Sequence, residues 1–103
     1  RSNLLLAIDN QLVTPDLSKS GVEGVMLNHL IDEFQVQGTG VLRKTISLCE
    51  LKTASEIFLC NSVFGIWPVV EIENDDWRIS REKGPFSAAA LEIQNKLFRN
   101  TTR

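Results

Sequence analysis

The stretch TPDLSKSGVEGVMLNHL, residues 14–30, carries a Pro-Asp turn and two glycines directly into an apolar helical pattern. Two physical readings account for it. In one, the glycines let the backbone approach an anion, and the first N–H groups of the helix, which have no partner within it, hold a phosphate. In the other, the stretch is an ordinary connection between a strand and a helix. From Val22 to about Gln35 apolar residues recur at helical spacing, with Leu27 and Ile31 adding a second face, and Gly38 follows as a stop signal. A helix apolar on two sides is expected to lie between layers.

Upstream of this stretch, NLLLAID and LVTP flank Asp9 and Asn10, residues that tolerate the positive φ of a tight hairpin, so Asn3 to Ile8 and Gln11 to Val13 are expected to pair. Downstream, TGVLRKTIS alternates as a strand with one covered face does, and LCELKTAS reads as a short helix. Ile57 to Cys60 is a short continuous apolar run, read as an inner strand ending at Asn61. A further strand is expected over Ile66 to Ile72, with Pro68 pushing its start to an edge or a bulge. NDDWRIS reads as a charged turn and a brief strand around Trp77, and Pro85 opens a final amphipathic helix carrying Phe86, Ala89, Ala90, Ile93, Leu97 and Phe98. The pattern is mixed α/β with a single core, one domain over residues 1–103.

Composition narrows the chemistry. The net charge is −2, and the 11 Lys and Arg are scattered, which gives no electrostatic footprint for nucleic acid. No apolar run approaches the roughly 20 residues that span a bilayer, and Asp9 interrupts the start too early for a signal peptide. A soluble, cytoplasmic protein is expected. Cys49 and Cys60 lack metal-ligand spacing and sit in apolar sequence, so both are read as buried free thiols, and no metal is expected. His29 is the only histidine, and its apolar surroundings suit a packed ring better than a general base.

A second turn, Asn61 to Gly65, delivers an amide, a hydroxyl and backbone N–H groups to a strand exit, where they either bind an oxyanion or satisfy the turn's own backbone. The joint reading places Val25 and Met26 N–H on one side of a phosphate and Asn61 on the other, with the helix start and the Asn61 side chain on the same side of the sheet. No GxxxxGK[ST] pattern is present, which argues against a nucleotide P-loop.

SNLLLAIDNQLVTPDLSKSGVEGVML, ASEIFLCNSVFGIWPV and the spacing between them resemble the fold type IV pyridoxal-phosphate enzymes, from Asn3 to about Ile72. The CN pair followed by PV resembles the aminodeoxychorismate lyase branch; the branched-chain aminotransferases usually carry Gly-Thr there. The resemblance implies the C-terminal part of the large domain, a mixed sheet with packed helices, and pyridoxal 5′-phosphate as cofactor. It implies that Gly24, Val25, Met26 and Asn61 hold the cofactor phosphate and that Ser62 and Val63 face the substrate carboxylate. The activity implied is conversion of 4-amino-4-deoxychorismate to 4-aminobenzoate and pyruvate, with a fold type IV aminotransferase as the alternative and a non-catalytic phosphate-ligand or interaction module as a further one. The parent is expected to be a homodimer. Leu27 departs from the family, where an arginine is common. Lys19, Lys44, Lys52, Lys83 and Lys96 match no Schiff-base position, and the glutamate for the pyridine nitrogen has no counterpart, so the chain is expected to be an inactive C-terminal fragment of such an enzyme.

Overall fold

A computed structural model describes residues 3–16, 24–61, 65–68, 71–73, 76 and 78–101. The chain opens with β1 (Asn3–Ile8) and β2 (Gln11–Pro15), paired antiparallel with Leu6 opposite Val13 and Ile8 opposite Gln11. Asp9 and Asn10 between them have φ of 49° and 65°, the two left-handed residues of a type I′ turn, whose twist matches that of the flanking strands. Then follow α1 (Val25–Val36), β3 (Val41–Lys44), α2 (Leu48–Thr53), β4 (Glu56–Asn61), β5 (Gly65–Pro68), β6 (Glu71–Glu73), β7 (Arg78–Ser80) and α3 (Pro85–Thr101).

Five strands form one sheet in the order β3-β2-β1-β4-β5, and β6 and β7 form a separate antiparallel pair. β3 runs parallel to β2, with α1 in the connection between them, while the other neighbours in the main sheet are antiparallel. The fold is the expected mixed α/β arrangement with packed helices. Leu5, Ala7, Leu12, Phe58, Cys60 and Ile66 face α1 and α3 on one side of the sheet. Leu6 and Ile57 face Ala54, Ile79 and, from α2, Leu51 on the other. Because β1 and β4 are covered on both faces, they read as continuous apolar runs and not as alternating ones.

Four expectations are corrected. Helix α1 begins at Val25, not Val22: Gly24 is the N-cap, with φ −76° and ψ 165° in the extended region. Its buried residues, Met26, Leu27, Leu30, Ile31 and Phe34, make one stripe about 140° wide at 100° per residue. The helix therefore lies on the sheet and is not sandwiched, and Val25 and Val36, on the far side of the wheel, are exposed. The single strand expected over Ile66 to Ile72 is two: β5 ends at Pro68 on the sheet edge, and Glu71–Glu73 joins the second sheet. Proline has no N–H to extend a ladder, so the chain leaves the sheet there. β3 is an edge strand whose Leu42 is exposed, and only Val41 packs against the core, so its alternation does not mark a well-covered face.

Of the two cysteines, Cys60 is buried and Cys49 is exposed, because α2 buries none of its residues. That helix is held at its start by a capping box, in which Ser47 Oγ accepts from Glu50 N at 3.1 Å and Glu50 Oε1 accepts from Ser47 N at 3.2 Å. Its end is held by Arg81, whose guanidinium donates to the carbonyls of Lys52 and Ala54. Among the described residues no helix is long and apolar enough to cross a membrane.

Two measurements follow from this packing. Phe58→Ala empties the centre of the sheet and should cost about 3–5 kcal/mol in urea unfolding. Burial pushes the Cys60 thiol up to about 11, against a smaller opposing effect of the Asn3 backbone N–H. Iodoacetamide at pH 8.5 should therefore label Cys49 in the folded chain and reach Cys60 only in denaturant, as peptide mass mapping would show.

Candidate functional site

The N-terminus of α1 lies at the end of the main sheet where β1 begins and β4 finishes. Asn3, the first residue of β1, pairs with Cys60, the penultimate residue of β4. The Asn3 side chain reaches out of the strand so that its Oδ1 accepts the Gly24 N–H at 3.0 Å. The first intrahelical bond follows, from Asn28 N to Gly24 O at 3.1 Å. The N–H groups of Val25, Met26 and Leu27 thus belong to the first turn, which intrahelical bonds leave unpaired. Gly24 brings no capping side chain, and the first turn carries no acidic residue. The summed peptide dipoles place roughly half a positive charge there. Such a first turn suits an anion.

The second turn is held by a different element. Asn61 pairs with Gly65, whose φ is 81°, and the Ile66 N–H donates to Gln94 Oε1 of α3 at 2.5 Å. A Cβ on Gly65 would collide with the Gln94 carboxamide. Gln94 carried no signal in the sequence, since a glutamine on an amphipathic helix looks like a solvated residue.

Gly24, Val25, Met26 and Asn61 are therefore brought to one end of the sheet. Ser62 and Val63 lie outside the described residues, as do residues 17–23 of the glycine loop. Asn61 differs from expectation in one respect. Phe58 and Cys60 face α1, so the alternation of β4 sets Asn61 with Ile57 on the opposite face. The helix start and Asn61 share an end of the sheet and not a side, because a one-residue step along a strand reverses the direction of the side chain. Leu27, in place of the family arginine, is fully buried in the core beneath α1. His29 is half-buried on α1. Among the described residues no three His, Cys, Asp or Glu side chains gather as a metal site.

A hollow of about 380 Å³ lies on the α2 face, lined by Leu4, Pro15 and residues of the β3–α2 segment. None of the candidate residues among the described ones lines it. The α3 end of the structure is fastened by Glu56, a buried carboxylate whose oxygens accept from Phe86 N at 2.9 Å and Ser87 N at 2.8 Å.

The family described as Amino-transferase class IV matches residues 1–72. An aminodeoxychorismate lyase of Vibrio harveyi is 35% identical over 78 residues, covering 76% of this chain and 29% of that protein. The crystal structure of 4-amino-4-deoxychorismate lyase from Pseudomonas aeruginosa superposes with a TM-score of 0.73 at 37% identity, covering 99% of this chain and 35% of that one. An aminotransferase from Brucella abortus, bound to the cofactor PLP, superposes with a TM-score of 0.81 at 18% identity, over 93% of this chain and 33% of that one, a likeness of fold. The chain thus spans about a third of the length of these proteins.

Gly65→Ala should destabilise the chain by more than about 1 kcal/mol, since it meets both a positive φ and Gln94. Adding Gln94→Ala should remove the collision and leave the backbone strain, so thermal melts of the single and double variants should show partial recovery.

Proposed function

This chain belongs to the class IV aminotransferase family, and on that premise we propose that it is the phosphate-anchoring part of a pyridoxal-phosphate enzyme. The observation that carries the reading is the uncapped, acid-free start of α1, set beside Asn3 at the end of the sheet. Gly24 lets the backbone come close, and the Val25 and Met26 N–H groups hold the cofactor phosphate. Asn61, the last residue of β4, reaches the same phosphate around the end of the sheet, and this reading assigns Ser62 and Val63 to the substrate carboxylate. When bound, the cofactor supplies an electron-withdrawing ring that accepts charge as a substrate proton leaves. The residues of this chain fix the phosphate end, and with it the direction in which the ring points, and add no group that changes protonation near neutral pH. The catalytic lysine, the general acid and base, belongs in this reading to the portion of the relatives' length that this chain does not span.

The 35% and 37% identities to two aminodeoxychorismate lyases support one reaction, release of pyruvate from 4-amino-4-deoxychorismate to give 4-aminobenzoate, in a homodimeric enzyme of folate synthesis. The family described as Amino-transferase class IV, matched over residues 1–72, supports the alternative more directly, transamination of a branched-chain or D-amino acid on the same anchor. The two are separated by assaying the full-length protein with each substrate. Formation of 4-aminobenzoate without transfer of an amino group to 2-oxoglutarate supports the lyase; the converse supports the aminotransferase; activity with neither, together with no retention of pyridoxal phosphate, sinks both.

In that protein Asn61→Ala should weaken pyridoxal phosphate retention by about tenfold, the worth of one hydrogen bond to a charged group, with a smaller effect on kcat. The 103-residue chain alone is expected to give no turnover, and borohydride should trap no cofactor on its lysines.

A further inference from the structure

Gly24 is not glycine because of its backbone. Its φ of −76° and ψ of 165° are open to any residue. A Cβ on Gly24 would lie 2.9 Å from Asn3 Oδ1 and would have to displace that side chain. Asn3 is buried, and its backbone is fixed in the ladder of a central strand opposite Cys60. Its contact with Gly24 spans 21 residues of sequence and joins the central strand pair to the residue immediately before α1. The donor it occupies is the N–H of the N-cap residue, so the next N–H groups, of Val25 and Met26, are left pointing out of the helix. The acceptor is a neutral carboxamide. An aspartate could accept the same bond but would set a negative charge beside any bound phosphate.

We propose that Asn3 is a positioning residue for phosphate binding: its carboxamide oxygen fixes Gly24 and so aims the Val25 and Met26 N–H groups at the ligand. This rests on the phosphate-anchoring reading above, and it makes Asn3 and Gly24 one device, in which the missing side chain of one is the space occupied by the other.

The test compares the affinities of the cofactor-free full-length protein for pyridoxal phosphate and for pyridoxal, which lacks the phosphate. Asn3→Ala should weaken pyridoxal phosphate by about tenfold and leave pyridoxal within about twofold, the scale of one lost hydrogen bond to a charged ligand. Gly24→Ala should do the same by displacing Asn3, and the double variant should lose little beyond either single one, because both changes break the same contact. Glu56→Gln, at the other end of the fold, serves as the control: it should lower the melting temperature without altering the ratio of the two affinities. Equal loss of both ligands in Asn3→Ala would mean that the residue only supports the fold, and would overturn the proposal. If Asn3→Ala does not fold, Gly24→Ala reads the contact from the other side, and an unchanged ratio in that variant also overturns it. Amide hydrogen exchange separates the two levels of the argument. If pyridoxal phosphate does not slow exchange at Val25 and Met26 in the unaltered protein, the phosphate-anchoring reading fails; if it does, and the variants keep the original ratio, the role of Asn3 alone fails.

Discussion

The structure depends on the antiparallel pairing of β1 with β4 at the centre of a sheet that is covered on both faces. Leu5, Leu6, Phe58 and Cys60 are fully buried, and each large apolar side chain removed from water contributes about 1.5–3 kcal/mol. This pair sets the position of everything functional. Its register places Asn3 opposite Cys60, and so brings the start of the chain's first described strand beside the exit of β4. Helix α1 then lies across the same strands with Met26, Leu27 and Leu30 in contact with the core, and its first turn comes to the end of the sheet.

Around this apolar centre the connections are held by a small number of polar side chains acting over long sequence separations. Asn3 holds Gly24, Gln94 holds Ile66, and Glu56 holds the start of α3. Thr14 adds a fourth, donating from Oγ1 to the Leu4 carbonyl at 2.7 Å across the hairpin. At Gly24, Gly65 and Gly84 a glycine stands where such a side chain needs the space of a Cβ. These bonds satisfy backbone groups that the sheet and helices cannot reach, and an unsatisfied buried N–H would cost more than the bond itself contributes. The Asn3 and Gln94 anchors are uncharged, which keeps the region next to the α1 terminus favourable to an anion. Glu56, the charged anchor, is used at the terminus of α3, where a carboxylate complements the helix dipole.

Local rules were sufficient for the hairpin, for the body of α1, for β4 and for the Pro85 start of α3, because each depends on contacts within a few residues: left-handed turn residues, a 3.6-residue period, a short continuous apolar run, a proline at the first helical position. The same rules, with the quoted motifs, marked the loop before α1 and the turn after Asn61 as candidate sites, although residues 17–23 and 62–64 lie outside the described residues. They misplaced the start of α1 because Val22 continues the apolar period, whereas Gly24, held by Asn3, is the extended N-cap and the helix begins at Val25. They merged β5 and β6 because Ile66 to Ile72 is apolar or extended in preference throughout, whereas Pro68 has no N–H with which to continue the ladder.

The hairpin, the helical body of α1 and the family motifs follow from the amino-acid sequence alone, since periodicity and turn chemistry are properties of neighbouring residues. Burial of Cys60 but not Cys49, the face on which Asn61 falls, the parallel placement of β3 and the partnership of Asn3 with Gly24 do not. Each is settled by which strand lies beside which and in what register. A shift of one residue in the β1–β4 pairing would turn every side chain of one strand to the other face, and no local pattern records that choice.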